Sequence, residues 1–131
     1  MIVVDASAVL DLLLGTERAD RVATRMFAPD ERLDAPHLLD IEVAQALRRL
    51  VHLNGITVVR AGQAFDDFAG LVIERHSHRE LLPRIWQLRD SMTAYDGAYV
   101  ALGEALDAPV LTCDTKLGRA HGHRAQIEVI E

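Results

Sequence analysis

The sequence predicts an α/β fold in which a central, mostly parallel sheet lies between two layers of helices. Short apolar stretches rich in β-branched residues alternate with segments of helical periodicity along the 131 residues. Strands that alternate with helices are typical of parallel sheets, because each crossover lays a helix on one face of the sheet. The chain length and the 50% share of hydrophobic residues suit one substantial core. We therefore expect a single domain over residues 1–131.

Each element is predicted from apolar periodicity and from the residues that begin or end it. Ser7 can cap the first helix and Gly15 can end it, while Pro36 opens a long helix that Asn54 and Gly55 close. In chain order the predicted elements are a strand at 1–4, helices at 7–14 and 17–27, a weak strand at 32–35, helices at 36–53 and 59–68, a weak strand at 71–73, helices at 80–88 and 94–106, a strand at 109–112, a helical turn at 115–120 and a strand at 127–130.

Four carboxylates interrupt or close these apolar stretches: Asp5, Glu42, Asp96 and Asp114. Asp5 and Asp114 directly follow predicted strands, so they share the edge where parallel sheets place ligands. Glu42 and Asp96 lie near the beginnings of helices that can start at that edge. Gathered carboxylates repel one another and are costly to bury, and a hard cation such as Mg²⁺ or Mn²⁺ removes both penalties. The quartet therefore indicates a divalent metal site for phosphodiester chemistry.

Simpler roles remain open for each acid taken alone. Asp5 and Asp114 could cap helices, and Thr93 with Asp96 has the spacing of a capping box. Glu42 lies several residues inside its helix, deeper than a capping acid needs to be. Its neighbour Asp40 is the rival for its role.

The charge balance neither requires nor excludes nucleic acid. The net charge is -6, but setting the quartet aside leaves 16 acidic against 14 basic side chains. Thirteen of those cations are arginines, which suit bidentate phosphate contacts. Lys116 and Arg119 follow Asp114 closely enough to contact phosphate, although an ordinary solvated helix end explains them equally well. Aromatic residues make up only 5% of the chain, so no stacking platform for bases is evident.

Other chemistry-bearing residues are expected to be structural. The pairs His76 with His78 and His121 with His123 do not complete a zinc set and are interpreted as solvated loop histidines. The alternative for His121 and His123 is that they edge an RNA groove together with Arg119 and Arg124. Cys113 is expected to be buried as a small hydrophobe, and Trp86 to pack in the core or a dimer. No apolar run is long enough for a membrane span and no leader pattern is present, so we expect a cytoplasmic protein.

Four blocks of this sequence together resemble the PIN-domain ribonucleases, most closely the VapC toxins of type II toxin-antitoxin pairs. The blocks are VVDASAVL, APHLLDIEVAQALRRL, TAYDGAYVALGEAL and PVLTCD, in family order and spacing. The resemblance implies a three-layer α/β/α fold and places Asp5, Glu42, Asp96 and Asp114 at the acidic metal-binding positions. It places Thr112 and Ser7 at supporting hydroxyl positions.

The resemblance further implies an Mg²⁺-dependent endoribonuclease, a homodimer and inhibition by a VapB-like antitoxin. It leaves open which RNA and which bond are cut, the number of metal ions and the separate roles of the acids. One alternative is a non-catalytic PIN-like interaction module with idle acids. A metal-dependent phosphatase fits less well, because Ser7 stands where an aspartyl-phosphate phosphatase has a second Asp.

Overall fold

The computed structural model describes all 131 residues and contains five strands and seven helices. A short 3₁₀ turn at Arg79–Leu81 precedes the fifth helix. The elements are β1 (Ile2–Val4), α1 (Ala6–Leu14), α2 (Ala19–Met26), β2 (Leu33–Pro36), α3 (Leu38–His52), α4 (Val58–Ala69), β3 (Ile73–His76), α5 (Leu82–Gln87), α6 (Ala94–Leu106), β4 (Val110–Thr112), α7 (Thr115–Gly118) and β5 (Ile127–Val129).

The five strands form one parallel sheet in the order β3-β2-β1-β4-β5. Residues of β1 alternate between its two faces, as strand geometry requires. Ile2 and Val4 join the core cluster formed with α1, α2, α3 and α4, whereas Val3 joins the cluster formed with α5, α6 and α7. The sheet is therefore covered by helices on both faces, which confirms the predicted three-layer α/β/α architecture.

Two predicted element boundaries are wrong near the helix starts. Asp5, not Ser7, caps α1, because its Oδ1 accepts a 2.8 Å hydrogen bond from the Ala6 amide. Pro36 does not open α3 but ends β2, opposite His76 of β3. The α3 helix begins at Leu38, whose amide donates to His78 Nε2 at 2.9 Å.

The third strand lies later in the chain than the prediction of 71–73. Pairing with β2 begins at Ile73 and continues to His76, while Val72 before it is 90% exposed. Hydropathy predicts that the strand includes Leu71 and Val72, but the pairing with β2 determines where the strand begins. The sequence pattern contains no signal for that choice.

Two aromatic residues that the sequence placed in apolar packing lie on the surface. Trp86 is 68% exposed and stacks with the Arg89 guanidinium, whose carbon lies 4.7 Å from the ring centroid. Helical spacing predicts that Tyr95 and Tyr99 share one apolar face of α6, yet Tyr95 is exposed while Tyr99 is buried. Core packing of Trp86 is thus wrong for the single chain. No helix has the length and apolar character needed to cross a membrane.

Candidate active site

Asp5 is the most firmly held of the four acids. It follows β1 and starts α1, so the strand end and the helix cap together fix its backbone. One carboxylate oxygen accepts the Ala6 amide, and the other accepts the hydroxyls of Ser7 at 2.8 Å and Thr112 at 2.7 Å. These three hydrogen bonds leave the buried carboxylate a single orientation toward the carboxyl edge of the sheet.

The two hydroxyls also tie Asp5 to the neighbouring strand. Ser7 Oγ and Thr112 Oγ1 are 3.1 Å apart, and the Ser7 oxygen accepts the Cys113 amide at 2.9 Å. Thr112 Oγ1 accepts the Asp114 amide at 3.0 Å. The structure therefore gives both hydroxyls a supporting place between two of the acids, at the ends of β1 and β4.

Glu42 reaches the same edge from α3 and is held by a residue that the sequence analysis missed. The hydroxyl of Tyr99 donates a 2.6 Å hydrogen bond to Glu42 Oε1. Tyr99 belongs to α6 and is almost completely buried. A spacing signal did exist, because Tyr99 follows Asp96 by three residues and so lies on the same side of the helix.

Asp96 and Asp114 complete the group from the first turn of α6 and the start of α7. Asp96 lies in the first turn of its helix, where Thr93 is the cap and its hydroxyl accepts the Asp96 amide at 3.2 Å. Asp114 caps α7 and accepts the Lys116 amide at 2.8 Å. Asp5 and Asp114 therefore each cap a helix and also belong to the acidic group.

The acids are close enough to affect one another electrostatically. Burial raises the pKa of Asp5 more than its hydrogen bonds lower it, and the charge of Asp114 adds to the rise. Burial also raises the pKa of Glu42, helped by the charges of Asp5 and Asp96 and opposed by the Tyr99 hydrogen bond. The pKa of Asp96 is raised by burial and by the charges of Asp5 and Asp114. The site therefore concentrates negative charge that nothing in the protein neutralises fully.

The donor set suits a hard divalent cation that keeps part of its water shell. All four side chains offer oxygen, the ligand that Mg²⁺ and Mn²⁺ prefer. No three His, Cys, Asp or Glu side chains are grouped tightly enough to enclose a metal by themselves. Mg²⁺ usually takes only one or two protein carboxylates and retains several waters, so a closed cage is not required. The residues present thus fit such an ion, with water completing its coordination.

Known proteins of similar sequence cover nearly the whole chain. No protein-family model matches it. Ribonuclease VapC1 of Mycobacterium tuberculosis is 42% identical over 129 residues, which is 98% of this chain and 96% of the relative. Ribonuclease VapC12 of the same organism is 39% identical over 130 residues, 99% of both chains. This chain belongs to the VapC ribonuclease family.

A solved VapC structure has the same fold at much lower sequence identity. The chain of VapBC2 from Rickettsia felis, solved bound to a DNA fragment from its promoter, matches with a TM-score of 0.68 and 12% identity. The match covers 100% of both chains. A likeness at this identity concerns the fold, and it agrees with the three-layer PIN-domain architecture.

Asp40, the rival to Glu42, is not among the acids that interact electrostatically with Asp5 and Asp96. Its carboxylate is paired with Arg75 of β3 at 2.7 Å. The depth argument from the sequence therefore chose the acid that the structure brings toward Asp5 and Asp96. Lys116 and Arg119 line a cavity together with Asp96.

The structure changes the interpretation of the first histidine pair. His76 is part of β3 and its Nε2 lies 2.7 Å from Asp34 Oδ1, while His78 accepts the Leu38 amide. Neither is a solvated loop histidine. Their partners lie about forty positions away in the chain, so spacing alone cannot reveal them.

Cys113 packs against the core cluster that contains Ile2 and Val4, but it is only partly buried. The predicted burial of this residue is therefore confirmed only in part. Burial, together with the neighbouring Asp11, raises the pKa of its thiol to about 12. A thiol with so high a pKa is protonated at neutral pH and is a poor nucleophile. Cys113 therefore does not supply a thiolate at this edge of the sheet.

Proposed function

We propose that this VapC-family chain is the toxin of a type II toxin-antitoxin pair and hydrolyses RNA phosphodiester bonds with Mg²⁺, for which Mn²⁺ can substitute. The observation that carries the proposal is the convergence of Asp5, Glu42, Asp96 and Asp114 from four separate elements. Three of these carboxylates have raised pKa values because of burial and mutual charge. An arrangement this unfavourable on its own is expected where a cation offsets it.

The four acids have different proposed roles in binding the metal ion and in activating the attacking water. Asp5 and Asp96 are proposed as direct metal ligands, and Asp114 as a direct or water-mediated one. When bound, the ion would polarise the phosphate and lower the pKa of an attacking water. Glu42 would be a further ligand or accept the proton of that water, a task that its raised pKa suits. Tyr99 holds the Glu42 carboxylate in one orientation through its hydroxyl.

RNA is the proposed substrate, and Lys116 and Arg119 are the proposed phosphate contacts. Both side chains are exposed beside Asp96. The positive charge of Lys116 also opposes the rise in the pKa of Asp96. A cation in that place can attract a phosphate to an edge that otherwise repels it.

A VapB-like antitoxin and a second copy of the chain are the proposed protein partners. An apolar groove of about 840 Å³ runs beside Glu42. It is lined by Leu38, Ile41, Leu50, Leu53 and Tyr95 among others. Ile41 is 68% exposed and Tyr95 is 62% exposed. Large apolar side chains that are exposed side by side in a groove are typical of a surface that binds another protein. We assign this groove to the homodimer contact.

A cleavage assay on structured RNAs tests the function directly. Purified protein is incubated with tRNA or rRNA fragments in Mg²⁺, in Mn²⁺ and in a chelator. Cleavage with either metal, absent with chelator and absent in Asp96→Asn, supports the proposal. No cleavage of any RNA with either metal would favour the interaction module, and release of phosphate from a chromogenic phosphomonoester would favour a phosphatase. Co-purification with the product of an adjacent small reading frame tests the antitoxin.

A further inference from the structure

A polar cavity of about 440 Å³ lies against the acidic group, between the start of α6 and the segment after β4. We call it the flanking cavity. Its lining includes Ser91, Asp96, Lys116, Arg119 and His121, and few of its lining residues are hydrophobic. Its volume lies within the range of roughly 300–1,000 Å³ typical of small-ligand sites. Asp96 belongs both to this cavity and to the acidic group, so a ligand here would adjoin the reacting centre.

One wall of the flanking cavity is held in place by a glycine. Gly122 has φ +80°, and a Cβ at this position would lie 2.7 Å from Ser91 Oγ. Only glycine combines that backbone conformation with so close an approach to Ser91. The contact brings His121 to the cavity beside the segment that leads into α6.

A largely buried ion pair anchors the same wall from behind. Glu104 of α6 accepts Arg84 Nε at 2.7 Å and Nη2 at 3.0 Å, and the Glu104 side chain is only 5% exposed. Arg84 also donates to the Gly122 carbonyl at 3.2 Å, and Glu104 accepts the Arg124 amide at 2.8 Å. These bonds fix the backbone on both sides of His123. Ala120 and His121 therefore line the cavity from a segment whose backbone is fixed just beyond them, at Gly122 and Arg124.

The flanking cavity is lined by two cations and two carboxylates, one of which is Asp90, so an anion is attracted only to the side that carries the cations. Lys116 and Arg119 supply positive charge on the α7 side, and Asp96 marks the end nearest the metal-binding acids. Ser91 and His121 add hydrogen-bonding side chains away from that end. An apolar ligand would leave these groups unpaired, whereas a phosphate joined to a sugar and a base would use both ends.

We propose that the flanking cavity binds one RNA nucleotide next to the scissile phosphate, with Lys116 and Arg119 contacting its phosphate and Ser91 and His121 contacting its sugar or base. This inference rests on the proposed ribonuclease function and adds specificity to it. Ser91 and His121 are thus specificity-determining residues. Their contacts select the nucleotide beside the cleaved bond, while the acids perform the hydrolysis.

Binding of a short fluorescent single-stranded RNA tests the phosphate contacts. The measurement uses Glu42→Gln as a non-cleaving background, because a Gln carbonyl can still accept the Tyr99 hydrogen bond. Added to it, Arg119→Ala should weaken binding and reduce the slope of log K against log salt by about 0.7, the value for one lost contact to single-stranded nucleic acid. Arg48→Ala is the matched control, because Arg48 is an exposed arginine of α3 that does not line the cavity.

Cut-site mapping tests the specificity. The double variant Ser91→Ala, His121→Ala should cleave a mixed RNA pool with Mg²⁺ at a changed set of sites and retain the wild-type affinity for Mn²⁺. The inference is overturned if the wild-type protein cleaves RNA while the double variant keeps the same sites. It is also overturned if Arg119→Ala and Arg48→Ala give equal salt slopes. A wild-type protein that cleaves nothing with either metal would instead contradict the proposed function, and the subsite with it.

Discussion

The Tyr99 hydroxyl and the Glu42 carboxylate form a 2.6 Å hydrogen bond between α6 and α3. The same helix places Asp96 three residues before Tyr99. One helix therefore contributes an acid of its own and orients an acid of its neighbour. This bond also acts on the chemistry of Glu42, because it lowers a pKa that burial and the charges of Asp5 and Asp96 raise.

Replacing Tyr99 with Phe should move the acid limb of the pH–activity profile to higher pH. Without the hydroxyl, the pKa of Glu42 rises further, so the ionised form needed to accept a proton or bind metal appears only at higher pH. The stability cost should be modest, about 0.5–1.5 kcal/mol for one hydrogen bond. The pH dependence of kcat/KM for RNA cleavage measures the effect. Tyr95→Phe is the control, since this exposed tyrosine should leave the profile unchanged. An unmoved acid limb in Tyr99→Phe would contradict the role given to the bond.

Asp96→Asn and Asp5→Asn should both abolish cleavage and toxicity on expression, but they should differ in stability without metal. Asp96 suffers repulsion from Asp5 and Asp114, so removing its charge should leave the melting temperature unchanged or raise it. Asp5 accepts three hydrogen bonds, and an amide in its place turns a donor toward another donor. Asp5→Asn should therefore lower the free energy of unfolding by about 1–3 kcal/mol. Thermal unfolding in a chelator compares them, and a less stable Asp96→Asn than Asp5→Asn would refute this explanation.

Acid sensitivity of the fold should depend in part on Asp34 in β2. Burial acts to raise the pKa of Asp34, but hydrogen bonds from Arg32 and His76 outweigh it and hold the pKa below the ordinary 3.8. Stability supplied by this carboxylate is fully present above that ordinary value and is lost as the pH falls through the lower folded value. In urea unfolding at a series of acidic pH values, the free energy of unfolding should therefore depend less steeply on pH in Asp34→Asn than in the wild-type protein. The exposed Asp67→Asn serves as control, and equal slopes for both variants would exclude the role of Asp34.

Charge introduced into the apolar groove should disrupt the proposed dimer. Ile41→Glu places a carboxylate in the lining of that groove without disturbing the core, because Ile41 is exposed in the single chain. Light scattering after gel filtration should give a dimer mass for the wild-type protein and a monomer mass for Ile41→Glu. Val72→Glu tests the same change at an apolar residue outside the groove and should remain dimeric. A dimer of unchanged strength in Ile41→Glu would place the interface elsewhere.

The features that the sequence predicted well are those with a local signal. Apolar periodicity located the helices, and the strands that end at Asp5 and Asp114 lie side by side in the sheet. Their position after adjacent parallel strands explains why two acids share one edge. Glu42 could be preferred to Asp40 because depth within a helix is also a local property. Asp40 turns away to Arg75.

The features that the sequence did not reveal depend on partners far along the chain. Tyr99 meets Glu42 across 57 positions, and His76 meets Asp34 across 42. The register of β3 follows from its pairing with β2, which overrides the local hydropathy of Leu71 and Val72. Spacing places Tyr99 on the same side of α6 as Asp96, but it does not show that the partner of the Tyr99 hydroxyl is Glu42.

Calorimetric titration of the protein with Mn²⁺ tests the central claim, that carboxylates from four elements together hold a divalent cation. Wild-type protein and Asp40→Asn should bind Mn²⁺ alike, because Asp40 is paired with Arg75 outside the site. Asp96→Asn should bind at least about tenfold more weakly, since even a supporting residue at a metal site contributes that much. Absence of Mn²⁺ binding by the wild-type protein, or equal affinity in Asp96→Asn, would contradict the account.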